Sequence, residues 1–184
     1  MFRDSLSQSS AYRASVLLIA ACSWLLPVGM VYALPVSHRL PVDLAVEAAM
    51  EAVKTCQKQG YDVTATVVTQ EGLRQAVIRG DGASPHTIEN SYNKAYTVIT
   101  LGPVQKVSST TEIAKAMSPP ANPVGNWPIP PSPVTGLTFT SGGIAMKVGN
   151  ELIAGLGVSG APGGKFDEGC AQAGIRKISD RLSP

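Results

Sequence analysis

Apolar residues at Leu44, Ala45, Ala48, Ala49, Ala52, Val53 and Cys56 recur every three or four positions, with Glu47, Glu51, Lys54 and Lys58 between them. That period puts one apolar stripe on a helix over residues 42–59, which Gly60 ends. The pattern then changes. Residues 62–69 (DVTATVVT) alternate and are rich in β-branched side chains, 70–72 (QEG) suit a tight turn, and 73–79 return as a hairpin partner. After a loop over 80–86, Thr87 is the expected N-cap of a second helix, and Asn90 stands where a capping box would carry an acid. This helix is predicted to stop at about residue 101, before Gly102-Pro103, and a shorter helix spans 109–117. Short strands follow at 137–140 and 145–148, joined by 141–143 (SGG). A third, 151–158 (ELIAGLGV), contains Gly155 and Gly157, which allow another backbone to approach closely. A glycine-rich loop (159–164) leads into a last helix over 165–181. The order α-β-β-α-α-β-β-β-α predicts an α+β domain: a five-stranded antiparallel sheet flanked by helices.

Two stretches do not fit this alternation. Residues 121–134 hold five of the 14 prolines and cannot be regular structure. Trp127 and Ile129 within them predict an arm, at about 118–136, that covers a pocket or a subunit contact. The chain start is different again. Arg3 and Arg13 precede the apolar run 14–26 (ASVLLIAACSWLL), Pro27 and Gly29 break it, and Val31 and Ala33 sit at −3 and −1 of a cleavage site. These are the three parts of a secretory signal peptide over residues 1–33. The run is shorter than the roughly 20 residues a membrane helix needs. The expected mature chain starts at Leu34 and is periplasmic or secreted, with no membrane association after cleavage.

Charge adds an exclusion. Removing Arg3, Arg13 and Asp4 from 15 basic and 13 acidic residues leaves 13 and 12. With no basic patch and few aromatics, nucleic acid is not an expected partner. Export also bears on the cysteines. Cys22 leaves with the signal peptide, and Cys56 and Cys170 remain for an oxidising compartment. They suit a disulfide better than a zinc site, which wants about four soft ligands, though both could be small buried side chains.

Chemistry-bearing motifs are sparse. Gly155, Gly157 and Gly160 have G-x-G-x-x-G spacing, but a dinucleotide loop must link a parallel strand to a helix, and these lie in and after an antiparallel strand. Arg79-Gly80-Asp81 matches the integrin tripeptide and is accounted for by the Asp81-Gly82 turn. Ser159 has no base or orienting carboxylate nearby in sequence, and nothing local pairs Asp81 or Asp167, so no catalytic set assembles. A binding domain is favoured over a hydrolase.

Six segments in order carry a resemblance: 67–72, Arg79-Gly-Asp-Gly-Ala83, Lys94-Ala-Tyr-Thr97, Ser141-Gly-Gly-Ile144, the 155–161 stretch GLGVSGA, and 167–174 (DEGCAQAG). Together they resemble the GlcG/HbpS-like haem-binding family, whose domain also occurs at the C-terminus of some corrinoid adenosyltransferases. Thr69-Gln70 replaces a frequent Val-Asp, and Ala145 stands where proline is common. The resemblance implies a five-stranded antiparallel sheet with helices, a homo-oligomer, and haem or iron as ligand. It also implies that the first and last helices pack on one face of the sheet, where Cys56 and Cys170 can bridge.

Three functions are compatible with it: haem or iron binding for sequestration or redox sensing, peroxide-dependent haem degradation, and an accessory domain for a small organic acid or a protein. No single iron ligand carries over from the family. His38 lies in the N-terminal tail, which leaves His86 as the strongest candidate ligand, with Tyr92, Tyr96 or Met146 as alternatives. Arg79 and Lys94 are candidates for the propionates, Val98 for an apolar wall, and Asp81 completes the set beside the His86 loop.

Overall fold

The computed structural model describes residues 36–117 and 134–182, and the fold is that of the unit Ser37–Pro184. The signal peptide over 1–33 and most of the proline-rich arm, with Trp127 and Ile129, lie outside the described residues. The elements are α1 (Val42–Gln57), β1 (Thr64–Thr69), β2 (Arg74–Arg79), α2 (Thr87–Gln105), α3 (Thr110–Met117), β3 (Gly143–Val148), β4 (Glu151–Ser159) and α4 (Gly164–Ile178), closed by a 3₁₀ turn, Ser179–Arg181.

Among the described residues the sheet has four strands in the order β2-β1-β4-β3, every pair antiparallel. The class is therefore α+β as expected, but the strand predicted at 137–140 is not there. Its polar groups turn to other partners. The Thr138 amide donates to Thr97 Oγ1 on α2 at 2.8 Å, the Leu137 amide to Val134 O at 3.3 Å, and the Thr138 and Thr140 hydroxyls bond each other at 3.0 Å. A β-rich composition cannot reveal that a segment's amides are engaged by a helix side chain.

Helices α1 and α4 cover one face of the sheet, and α2 with α3 the other. The first layer buries Ala45, Ala48, Ala49 and Ala52 against Ala65, Val67, Leu156 and Val158. Cys56 and Cys170 are bonded across it, joining α1 to α4. The second layer has a smaller core of Val68, Ala95, Val98, Ile99 and Ile113.

Nearer the start of α2, that second layer is polar. Thr64 and Thr66 of β1 point at the helix, and their hydroxyls meet Thr87 Oγ1 and Ser91 Oγ, each at 2.7 Å. Thr87 is consequently the first residue of α2 and not its N-cap, which is His86. Its hydroxyl serves the sheet and Ser84 O (2.6 Å). Helix and strand can lie this close because β4 carries no side chain at Gly155 and Gly157: a Cβ on Gly157 would stand 2.0 Å from Ser91 O, and one on Gly155 2.7 Å from Ala95 O. The glycine spacing is thus a packing device, as its place in an antiparallel strand predicted.

The other differences are at helix ends. Helix α2 runs through Gly102-Pro103 to Gln105, because proline in a last turn forfeits one bond and the chain then caps itself. Lys106 is left-handed (φ 57°), and the Val107 amide returns to Gly102 O at 3.0 Å. Helix α3 begins at Thr110, with the Ser109 hydroxyl accepting the Glu112 amide at 3.2 Å. No helix of the described residues is long and apolar enough to cross a membrane.

Candidate functional site

The polar end of the α2–sheet interface opens into a cleft of about 510 Å³, within the roughly 300–1,000 Å³ usual for ligand sites. His86, Asn90 and Lys94 line it from one face of α2, at intervals of four residues. The opposite wall is the loop 160–164 that feeds α4, and Phe139 and Ser141 close one side.

The floor is an ion pair. Lys94 Nζ donates to Asp167 Oδ2 at 2.7 Å and to Val158 O at 2.9 Å, and Asp167 Oδ1 accepts the Ala161 amide at 3.0 Å. The two side chains are only 3% and 4% exposed. Burial depresses the Lys94 ammonium below its ordinary value and raises the Asp167 carboxyl, and in each case the partner's charge opposes burial without overcoming it. Gly142, at φ 126°, lies against this pair: a Cβ there would stand 2.9 Å from Lys94 Nζ. Beside the pair, Asn90 Nδ2 donates to the nearly buried Ser159 Oγ at 2.8 Å.

Two of the expected site residues meet here, His86 and Lys94. His86 is exposed on the rim, and its ring makes no hydrogen bond to a described residue. Lys94 gives two N–H groups to Asp167 and Val158, and Asp167 matches its charge. Arg79 and Asp81 lie outside the cleft lining. The Arg79 guanidinium donates to Ala83 O and closes its own turn. Tyr96 is half-buried in the second core, where Gly72 and Gly136 abut its ring. Of the alternative ligands, Met146 is fully buried in the first core, and Tyr92 donates to Gly72 O at 3.3 Å beneath the Arg74 guanidinium. Val98 belongs to the second core and lines a separate depression. His38 is not loose: Glu151 accepts its amide at 2.8 Å and holds its Nδ1 at 2.6 Å.

Asn90, Ser159 and Asp167 were not expected as cleft residues. A signal existed for Asn90, one turn from both His86 and Lys94. Asp167 has its partner 73 residues away, and no local pattern shows that.

A four-stranded antiparallel sheet between two helical layers, with a polar cleft beside the end of a central strand, defines the class: an α+β domain of two helical layers on one sheet. The chain belongs to the HbpS-like family, described as haem degrading protein HbpS-like, which matches residues 40–176. It is 31% identical to HbpS in its crystal structure, over 79% of this chain and 94% of that one, with a TM-score of 0.65. Two more distant structures share the fold. The Klebsiella pneumoniae protein ORFY is 22% identical over 80% of this chain and 98% of its own, with a TM-score of 0.66. The PduOC:heme complex is 23% identical over 77% and 96%, with a TM-score of 0.63. No curated protein sequence matches significantly.

Proposed function

We propose that this protein is exported and binds haem at the cleft, where the His86 imidazole would hold the iron. The observation that carries the reading is the His86 ring, without a hydrogen-bond partner among the described residues, in a cleft that Phe139, Ala161 and Pro162 also line. A neutral imidazole is a haem-iron ligand in its own right, and His86 would supply it. Family membership and the haem complex of a protein with the same fold support it. Bound haem would supply a redox-active iron, and the chain's own residues supply one ligand, an apolar wall and a hydrogen-bonding floor. Sequestration or redox sensing suits that set. The proposal includes signal cleavage and self-association through the proline-rich arm.

The test is haemin titration of wild type and His86→Ala. The wild type is expected to develop a Soret band that the variant weakens at least tenfold in affinity or shifts in position. Identical curves would remove His86 from the iron. Protein taken from the cell-envelope fraction should begin at Leu34 and elute above the monomer mass, and an intact N-terminus or a monomer would sink the corresponding part. Loss of the Soret band with iron release under peroxide would move the reading to haem degradation.

A further inference from the structure

The floor of the cleft has more hydrogen-bond donors than its own acceptors use. An ammonium carries three N–H groups, and Lys94 Nζ has two acceptors, Val158 O and Asp167 Oδ2. No acceptor for the third is found among the described residues. Ser159 Oγ accepts from Asn90, which leaves its own hydrogen to donate. The second Asn90 amide hydrogen and the Ser141 hydroxyl add donors on the same cleft. Helix α4 opens there too, and its N-cap, Gly163, offers no side-chain acceptor to the first-turn amides. Both Asp167 oxygens, in contrast, are already engaged.

Charge narrows the ligand. Lys94 and Asp167 cancel, so the floor is donor-rich without being strongly cationic. A single group carrying two charges, such as a phosphate dianion, would be pressed against the Asp167 carboxylate in a poorly hydrated site, whereas one carboxylate, with a single charge on two acceptor oxygens, meets several donors at modest electrostatic cost.

We infer that the cleft floor is a carboxylate-recognition site, formed by the spare Lys94 N–H, Ser159, Asn90 and Ser141. The carboxylate has two chemical sources, a haem propionate or a free small organic acid. The site shares the cleft with the haem reading, and the two can fail separately.

The experiment uses the disulfide-bonded protein. In the first arm, acetate and succinate are titrated into ¹⁵N-labelled protein, with chloride at matched ionic strength as reference. Saturable shifts are expected at Asn90, Ser159 and the 160–164 loop. Ser159→Ala and Asn90→Leu, tested separately, should each weaken them at least fivefold, and neither change touches the Lys94–Asp167 pair. In the second arm, haemin is compared with haemin dimethyl ester. At least tenfold weaker binding of the ester assigns the carboxylate to the propionates. Equal haemin and ester binding with saturable succinate shifts assigns it to a free acid. Succinate shifts with no Soret band under haemin would sink the haem reading and leave this one standing. No saturable shifts together with equal haemin and ester affinities, or with no haemin binding, would overturn the inference.

Discussion

Lys94 and Asp167 are the pair whose removal the fold should tolerate least by halves. Truncating one leaves a buried charge without its counter-ion, which typically costs about 3–5 kcal/mol, while an apolar pair of similar volume is often close to neutral. Lys94→Met and Asp167→Leu are each expected to lose roughly that much, and the double variant to recover most of it, in urea denaturation at neutral pH. The pair also shapes the pH dependence. Asp167 has its folded pKa raised above the usual 3.8 by burial, so through that window the folded state holds more protons and stability falls as pH rises. Lys94 has its folded pKa lowered from 10.5, so through its window the unfolded state holds more protons and stability rises with pH. Relative to the double variant, the wild type should therefore lose stability just above pH 3.8 and regain it on approaching pH 10.5. A flat difference between those limits would contradict the burial argument. Neither residue announces its partner in the sequence: Lys94 reads there as a candidate for a propionate, and only the third dimension supplies Asp167.

Most elements were legible from periodicity or from β-branched composition, even where, as in β1, both faces are buried. The stripe from Leu44 to Cys56 pointed to α1, the β-branched stretch 62–69 to β1 (Thr64–Thr69), and the glycines of β4 were read as sites of close approach. Legibility failed where a polar side chain redirected the backbone. Thr97 drew the Thr138 amide away from any ladder, and the sheet hydroxyls drew Thr87 into the helix and left His86 as N-cap. The α2–β4 contact is the element pair most sensitive to one methyl group. Gly157→Ala places Cβ 2.0 Å from Ser91 O, and such overpacking should cost on the order of 3 kcal/mol. Gly169→Ala in α4 is the matched control, because its Cβ would meet nothing within 4 Å. It should gain up to about 1 kcal/mol from helix propensity. Equal midpoints for the two variants in chemical denaturation would show that α2 does not lie as close to β4 as described.

Across the whole molecule, the Cys56–Cys170 bond encloses nearly the entire domain, with a sequence separation of 114. In the chain-entropy account a loop of that size contributes on the order of 5 kcal/mol. The Cys56→Ala/Cys170→Ala variant, or the reduced wild type, should unfold at correspondingly lower denaturant. An unchanged midpoint would mean that the bond does not limit the unfolded chain. The bond also spans a natural seam. Everything from α1 to α3 precedes residue 118, while β3, β4 and α4 follow residue 134, and the halves interlock through the β1–β4 ladder from Thr64↔Ser159 to Thr69↔Ala154. A protease site engineered between Met117 and Val134 would thus yield a two-piece protein stapled at one point. Oxidised, the pieces should reassemble after dilution from urea at a rate independent of concentration, since each carries its mate on a tether. Reduced, the same reassembly should become second order, and the domain would behave as a split pair that finds itself only by collision.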